Sequence, residues 1–115
     1  MGPAKVDLSG IRAGDRNVLT FTVLSAGGPF DLTGIVATAQ ARQTPDATVA
    51  IDAVVTITDA PGGVLTVEWP GAAVSTALAG ATTYKGVWDL QLAGNGWVLT
   101  VAEGTFAAVL DVTRP

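Results

Sequence analysis

Neither cysteine nor histidine occurs in these 115 residues. A fold without cysteine takes no support from disulfides. Triads that pair serine or cysteine with histidine are excluded, because no imidazole is present to accept the nucleophile's proton. Charge is scarce too: Asp, Glu, Lys and Arg make up 14% of the chain, and the net charge is −4. The six basic residues, Lys5, Arg12, Arg16, Arg42, Lys85 and Arg114, are scattered, which argues against the basic stripe that nucleic-acid binding needs. No apolar run approaches the ~20 residues that span a bilayer as a helix. The start, Met1-Gly2-Pro3-Ala4-Lys5, lacks the apolar segment of a secretion signal. The chain is therefore expected to be made and folded in the cytoplasm, with no membrane partner.

Ligand motifs are missing as well. No D-x-D-x-D-G run gathers oxygen ligands for a hard cation. Gly27-Gly28 and Gly62-Gly63 lack the Lys-Ser/Thr and following helix of a phosphate loop, so they read as turns. Asp7, Asp15, Asp31, Asp46, Asp52, Asp59, Glu68, Asp89, Glu103 and Asp111 supply carboxylates for a conceivable acid/base pair. Most of them flank turns, where Asp caps the local backbone. The expectation is a protein that is not an enzyme and holds no cofactor and no metal.

What the chain does have is 49% hydrophobic residues, too many for disorder, in a length that fits one domain. With so little charge, its outward faces are either covered by neighbours or carry Thr, Ser, Asn and Gln instead. The stretch Tyr84 to Leu92 organises the reading. Trp88, Leu90 and Leu92 share one parity and Val87, Asp89 and Gln91 the other, the period-2 pattern of a strand with one buried face. Ala93-Gly94-Asn95-Gly96 then turns the chain into a new apolar run, Trp97 to Val101.

The remaining strands follow from the same alternation. Arg16 to Leu24 is a strand, with Ser25 to Pro29 as a connection that glycines and proline keep out of a regular ladder. Asp31-Leu32-Thr33-Gly34 opens a strand over Ile35 to Gln43, whose small face (Ile35, Ala37, Ala39, Ala41) implies closely approaching sheets. Thr48 to Asp59 is extended with a bulge or bend at Ala53, and Asp59 to Gly63 turns it into Val64 to Trp69. Residues 72–79 alone have helical composition, with Val74 and Leu78 at i, i+4 and Gly80 closing the helix. Trp97 to Ala102, a turn at Glu103-Gly104 and a last strand over Thr105 to Thr113 complete the chain.

Short strands with turn signals every 8–12 residues predict an all-β, immunoglobulin-like antiparallel β-sandwich of seven or eight strands with one short helical crossover; a small barrel is the alternative. Residues 1–10 form an N-terminal arm or edge strand and 11–115 the single sandwich domain. The expected core contains Leu19, Phe21, Val23, Trp88, Leu90, Leu92, Phe106 and Leu110. Trp69 beside Pro70 and Trp97 after a turn stand at strand ends, where an indole offers contact area and a polar edge to a partner or a carbohydrate.

The ordered set Ile11-x-x-Gly14-Asp15, Leu19-x-Phe21-x-Val23, Phe30-Asp31-Leu32-Thr33-Gly34, Asp59-x-x-Gly62-Gly63-Val64-Leu65-Thr66-Val67, Leu78-x-Gly80 with Tyr84, and Trp88-Asp89-Leu90-Gln91-Leu92 resembles the N-terminal domain of bacteriophage baseplate upper proteins and related small phage tail proteins. Gly96-x-Val98-x-Thr100, Glu103-Gly104 and Asp111-Val112-Thr113-Arg114 extend the resemblance over residues 11–114. It implies an immunoglobulin-like sandwich that docks a receptor-binding or accessory component to a phage particle, and no enzyme. Those proteins continue into a helical stalk, whereas this chain stops at Pro115. The expectation is therefore a stand-alone virion module on the tail tip or baseplate, or on the capsid as a decoration protein, present in many copies and held by other virion proteins. Candidate interface residues are Lys5, Val6, Asp7, Leu8, Trp69, Trp97 and Arg114, with residues 2–8 expected to be dispensable for folding. The rival reading is a carbohydrate-binding or host-surface adhesion module using Trp69 and Trp97.

Overall fold

The computed structural model describes residues 4–12, 17–25, 27–47, 50–78 and 83–109. Its strands are β1 (Ala4–Lys5), β2 (Leu8–Arg12), β3 (Asn17–Thr22), β4 (Leu24–Ser25), β5 (Gly28–Pro29), β6 (Val36–Arg42), β7 (Ile51–Asp52), β8 (Val54–Asp59) and β9 (Val64–Trp69). Helix α1 (Gly71–Leu78), β10 (Thr83–Gly94) and β11 (Trp97–Val109) follow. The larger sheet runs β1-β11-β10-β6-β7, with β2 also on β11, and the smaller runs β3-β9-β8. The two pack as a sandwich of immunoglobulin-like, all-β character with one short helix.

Burial follows the alternation read from the sequence. Trp88, Leu90 and Leu92 are buried, while Val87, Asp89 and Gln91 lie on the outer face of β10. Opposite them on β6, Ala39 and Ala41 are buried beside Leu90 and Trp88. Small side chains there leave room for large ones on the neighbouring strand. An aromatic cluster joins the layers: Trp69 lies 4.8 Å from Phe106 and 6.2 Å from Trp88, and Phe21 lies 5.8 Å from Trp88. Of the expected core, Val23, Trp88, Leu90, Leu92 and Phe106 are buried and Leu19 and Phe21 are packed against it. Leu110, like Val49 and Gly80, is outside the described residues.

Turns and corners have local causes. At Ala53 the chain leaves the large sheet, where Ile51–Asp52 pairs β6, and enters the small one. The Ala53 N–H still donates to Ala39 O at 3.0 Å, which holds the corner. In the β8–β9 turn the Asp59 carboxylate accepts the Gly62 N–H at 3.1 Å, and Gly63 adopts φ +73 against the carbonyls of Val23 and Phe30. A side chain at Gly63 would strike backbone there. Asp31 accepts both the N–H and the hydroxyl of Thr33, at 2.9 and 2.6 Å, so the Asp31-Leu32-Thr33-Gly34 motif is a turn that seats buried Leu32. Helix α1 begins one residue before the predicted span and buries Val74 and Leu78.

Three expectations are corrected. Glu103-Gly104 is no turn: β11 passes straight through it as a 13-residue strand. Gly104 is required because the N-terminal segment crosses it, with the Val6 carbonyl where a Cβ would stand. The large sheet is mixed, since β1 and β2 both pair β11 in parallel. Leu24–Ser25 and Gly28–Pro29, expected as a bare connection, form a small hairpin with Gly28 at φ +127.

Candidate functional site

The N-terminal segment is built into the large sheet. The Val6 N–H donates to Glu103 O at 2.8 Å, and its carbonyl accepts the Trp88 indole N–H at 2.8 Å. Between β1 and β2, where the ladder lapses, the Asp7 carboxylate accepts the Thr105 N–H at 3.1 Å. That bond favours the charged form and holds the Asp7 carboxyl below its ordinary value. Leu8 is buried and Lys5, exposed, pairs with Glu103. Of the four arm residues proposed as contacts, Val6 and Leu8 thus serve their own domain, while Lys5 and Asp7 face outward.

Outward, the large sheet carries a polar row one residue per strand. Asp52, Gln40, Asp89, Glu103 and Lys5 stand in cross-strand register over β7, β6, β10, β11 and β1. Gln40 donates to Asp52 at 2.7 Å and accepts from Arg42 at 2.9 Å. A groove of about 670 Å³ lies over this row, between Lys5 and Asp7 on one side and Thr38, Arg42 and Pro45 on the other. Burial raises the Asp89 carboxyl, the facing Glu103 raises it further, and Arg42 acts against both. The row therefore presents hydrogen-bonding groups, among them one carboxyl that gains a proton more readily than an ordinary aspartate.

The other exposed feature is apolar. Strand β10 has 12 residues, about 40 Å of extended chain, against six in each strand of the smaller sheet. Strands β10 and β11 form one long hairpin. At its end Trp97 is 40%, Val98 66% and Leu99 44% exposed. Val98 stands in one row with Ala93 and exposed Val36 across β11, β10 and β6. The Trp97 indole lies over Gly94, which has no side chain to obstruct it, and meets Phe30 edge-on at 6.5 Å. Phe30 follows the small hairpin that carries exposed Leu24.

Trp69 does not join this surface. It is 0% exposed in the aromatic cluster, so the tryptophan expected at an interface is a core residue. Trp69 and Trp97 therefore offer no shared platform to a carbohydrate. Arg114 lies outside the described residues. Val98, Leu99, Val36 and Leu24 join Trp97 as exposed apolar residues, and their one local signal is that three consecutive apolar residues, Trp97-Val98-Leu99, cannot all face one side of a strand. No family model matches the chain, and no curated protein matches it.

Proposed function

We propose that the chain is a non-enzymatic structural protein of a bacteriophage virion, an immunoglobulin-like module docked through protein–protein contacts on the tail tip or baseplate, or on the capsid as a decoration protein. The observation that carries this reading is the apolar hairpin end, where Trp97, Val98 and Leu99 face solvent beside Val36. Val98 stands with Val36 on the outer face of the hairpin end and Trp97 with Leu99 on the opposite one, and exposed apolar side chains on both faces of a chain with little charge are suited to a protein partner. The ordered motif set over residues 11–114 adds the phage context. The protein is made in the host cytoplasm and present in many copies.

Mass spectrometry of purified particles tests it. The protein is expected to copurify with particles at many copies each, and Val98→Asp to fold normally but stay in the unassembled fraction. Particles that lack the wild-type protein while the lysate contains it in quantity would refute the reading.

A further inference from the structure

The smaller sheet ends, among the described residues, in two edge strands, β3 and β8. Natural edges are guarded by lysine, proline, bulges or inward-pointing charge. β8 reads Val-Val-Thr-Ile-Thr-Asp, with no lysine or proline, and its one charge and its register irregularity both fall at the far end. Val54, Thr56 and Thr58 are exposed on its outer face. Its inward residues Val55 and Ile57 are only half-buried, whereas Leu65 and Val67, their partners on central β9, are 0% exposed. The core is open along this edge.

We propose that β8 pairs antiparallel with β8 of a second copy about a two-fold axis at Thr56, joining two three-stranded sheets into one of six strands. An antiparallel edge is self-complementary under a two-fold, so a second copy satisfies it with no further surface. Keeping inward residues inward places the axis on a residue and not between two. With the axis at Thr56, Val55 faces the partner copy's Ile57 position, Val54 faces Thr58, and Asp59 faces Ala53. The half-buried pair is then covered, threonine meets threonine, and no like charges meet. With the axis at Ile57, Asp59 would instead stand opposite Val55 in the apolar row. On the outer face, Thr20, Thr66 and Thr56 already form one cross-strand row, which the pairing continues into the second copy.

Six residues a side are few against the ~1,600 Å² of a standard interface, so the pairing is concentration-dependent. It is also independent of the virion reading, because purified chain in solution reports it. Sedimentation equilibrium from micromolar to millimolar concentration should show a monomer–dimer equilibrium. Thr56→Lys and Thr56→Glu, each with unchanged circular dichroism, should be monomeric alone and form a one-to-one heterodimer when mixed, detected by native mass spectrometry. Val54→Lys, at a position already 56% exposed, should likewise lose dimer over the same range. A wild type that stays monomeric throughout, a Thr56→Lys chain that dimerises as before, or an open-ended polymer expected of head-to-tail pairing between β3 and β8 would each overturn the proposal.

Discussion

Two tryptophans of the same cluster differ by one hydrogen bond. The Trp88 N–H reaches the Val6 carbonyl, whereas the buried Trp69 N–H has no acceptor among the described residues. An unmet buried donor costs about 1–3 kcal/mol, so replacing Trp69 by Phe loses packing but removes that penalty. Replacing Trp88 by Phe loses packing and strands the Val6 carbonyl. Urea unfolding should therefore show Trp88→Phe to be the more damaging change by about 1–3 kcal/mol; equal losses would contradict the assignment.

Two carboxylates give opposite pH behaviour. Asp89 has a raised value in the fold, so it takes up protons more readily there than in the unfolded chain. Its effect is to lower stability as pH rises from the unfolded value of 3.8 through the raised folded one. Asp89→Asn should stabilise the protein at neutral pH and do little below 3.8. Asp7 has a lowered value, so its contribution is present above 3.8 and is lost as pH falls through the folded value. Asp7→Asn should accordingly weaken the protein at neutral pH and flatten its acid limb. Unfolding midpoints of both variants across that range decide the signs.

At the scale of elements, the N-terminal segment and β11 depend on each other. Val6 fills the space over Gly104, Asp7 completes the β11 ladder, and Leu8 and Ile11 enter the core beside Phe106 and Ala108. Gly104→Ala would drive a methyl group into the Val6 carbonyl and detach the segment. Hydrogen exchange should then accelerate at Val6 and Thr105 while the β8–β9 hairpin keeps its protection. Deleting residues 2–8 removes Leu8 altogether, and truncating a buried leucine even to alanine costs about 2–5 kcal/mol. The deletion should destabilise the whole domain, contrary to the dispensable arm expected of a short terminus flanking a sandwich.

For the molecule as a whole, surface and core are separable because Val98 and Val36 stand on the outer face of the large sheet, opposite the face that carries Leu90 and Leu92. Val98 points to the outer face of the hairpin end, so a substitution there removes no core contact. Val98→Asp should leave stability within about 0.5 kcal/mol of wild type, as surface changes generally do. A large loss of thermal stability would mean that the hairpin end is packed in the isolated chain and is not a free surface.

The sequence alone determined what depends on neighbours along the chain. Parity placed Trp88, Leu90 and Leu92 inside, Asp-and-glycine chemistry placed the turn at Asp59–Gly63, and Val74 and Leu78 marked the helix. The bend expected at Ala53 is the corner between the sheets, although Ile51, Val55 and Ile57 keep one inward parity across it. Only the tertiary structure decided what depends on distant segments. Glu103-Gly104 has the composition of a turn, and nothing nearby in sequence tells that Gly104 is small because Val6 crosses it. Trp69 looks like a strand end beside Pro70, yet Phe106 and Trp88, far along the chain, enclose it. The polar row over the groove has the same origin: Asp52, Gln40, Asp89, Glu103 and Lys5 become neighbours only through strand order and register, which long-range pairing sets and local patterning does not.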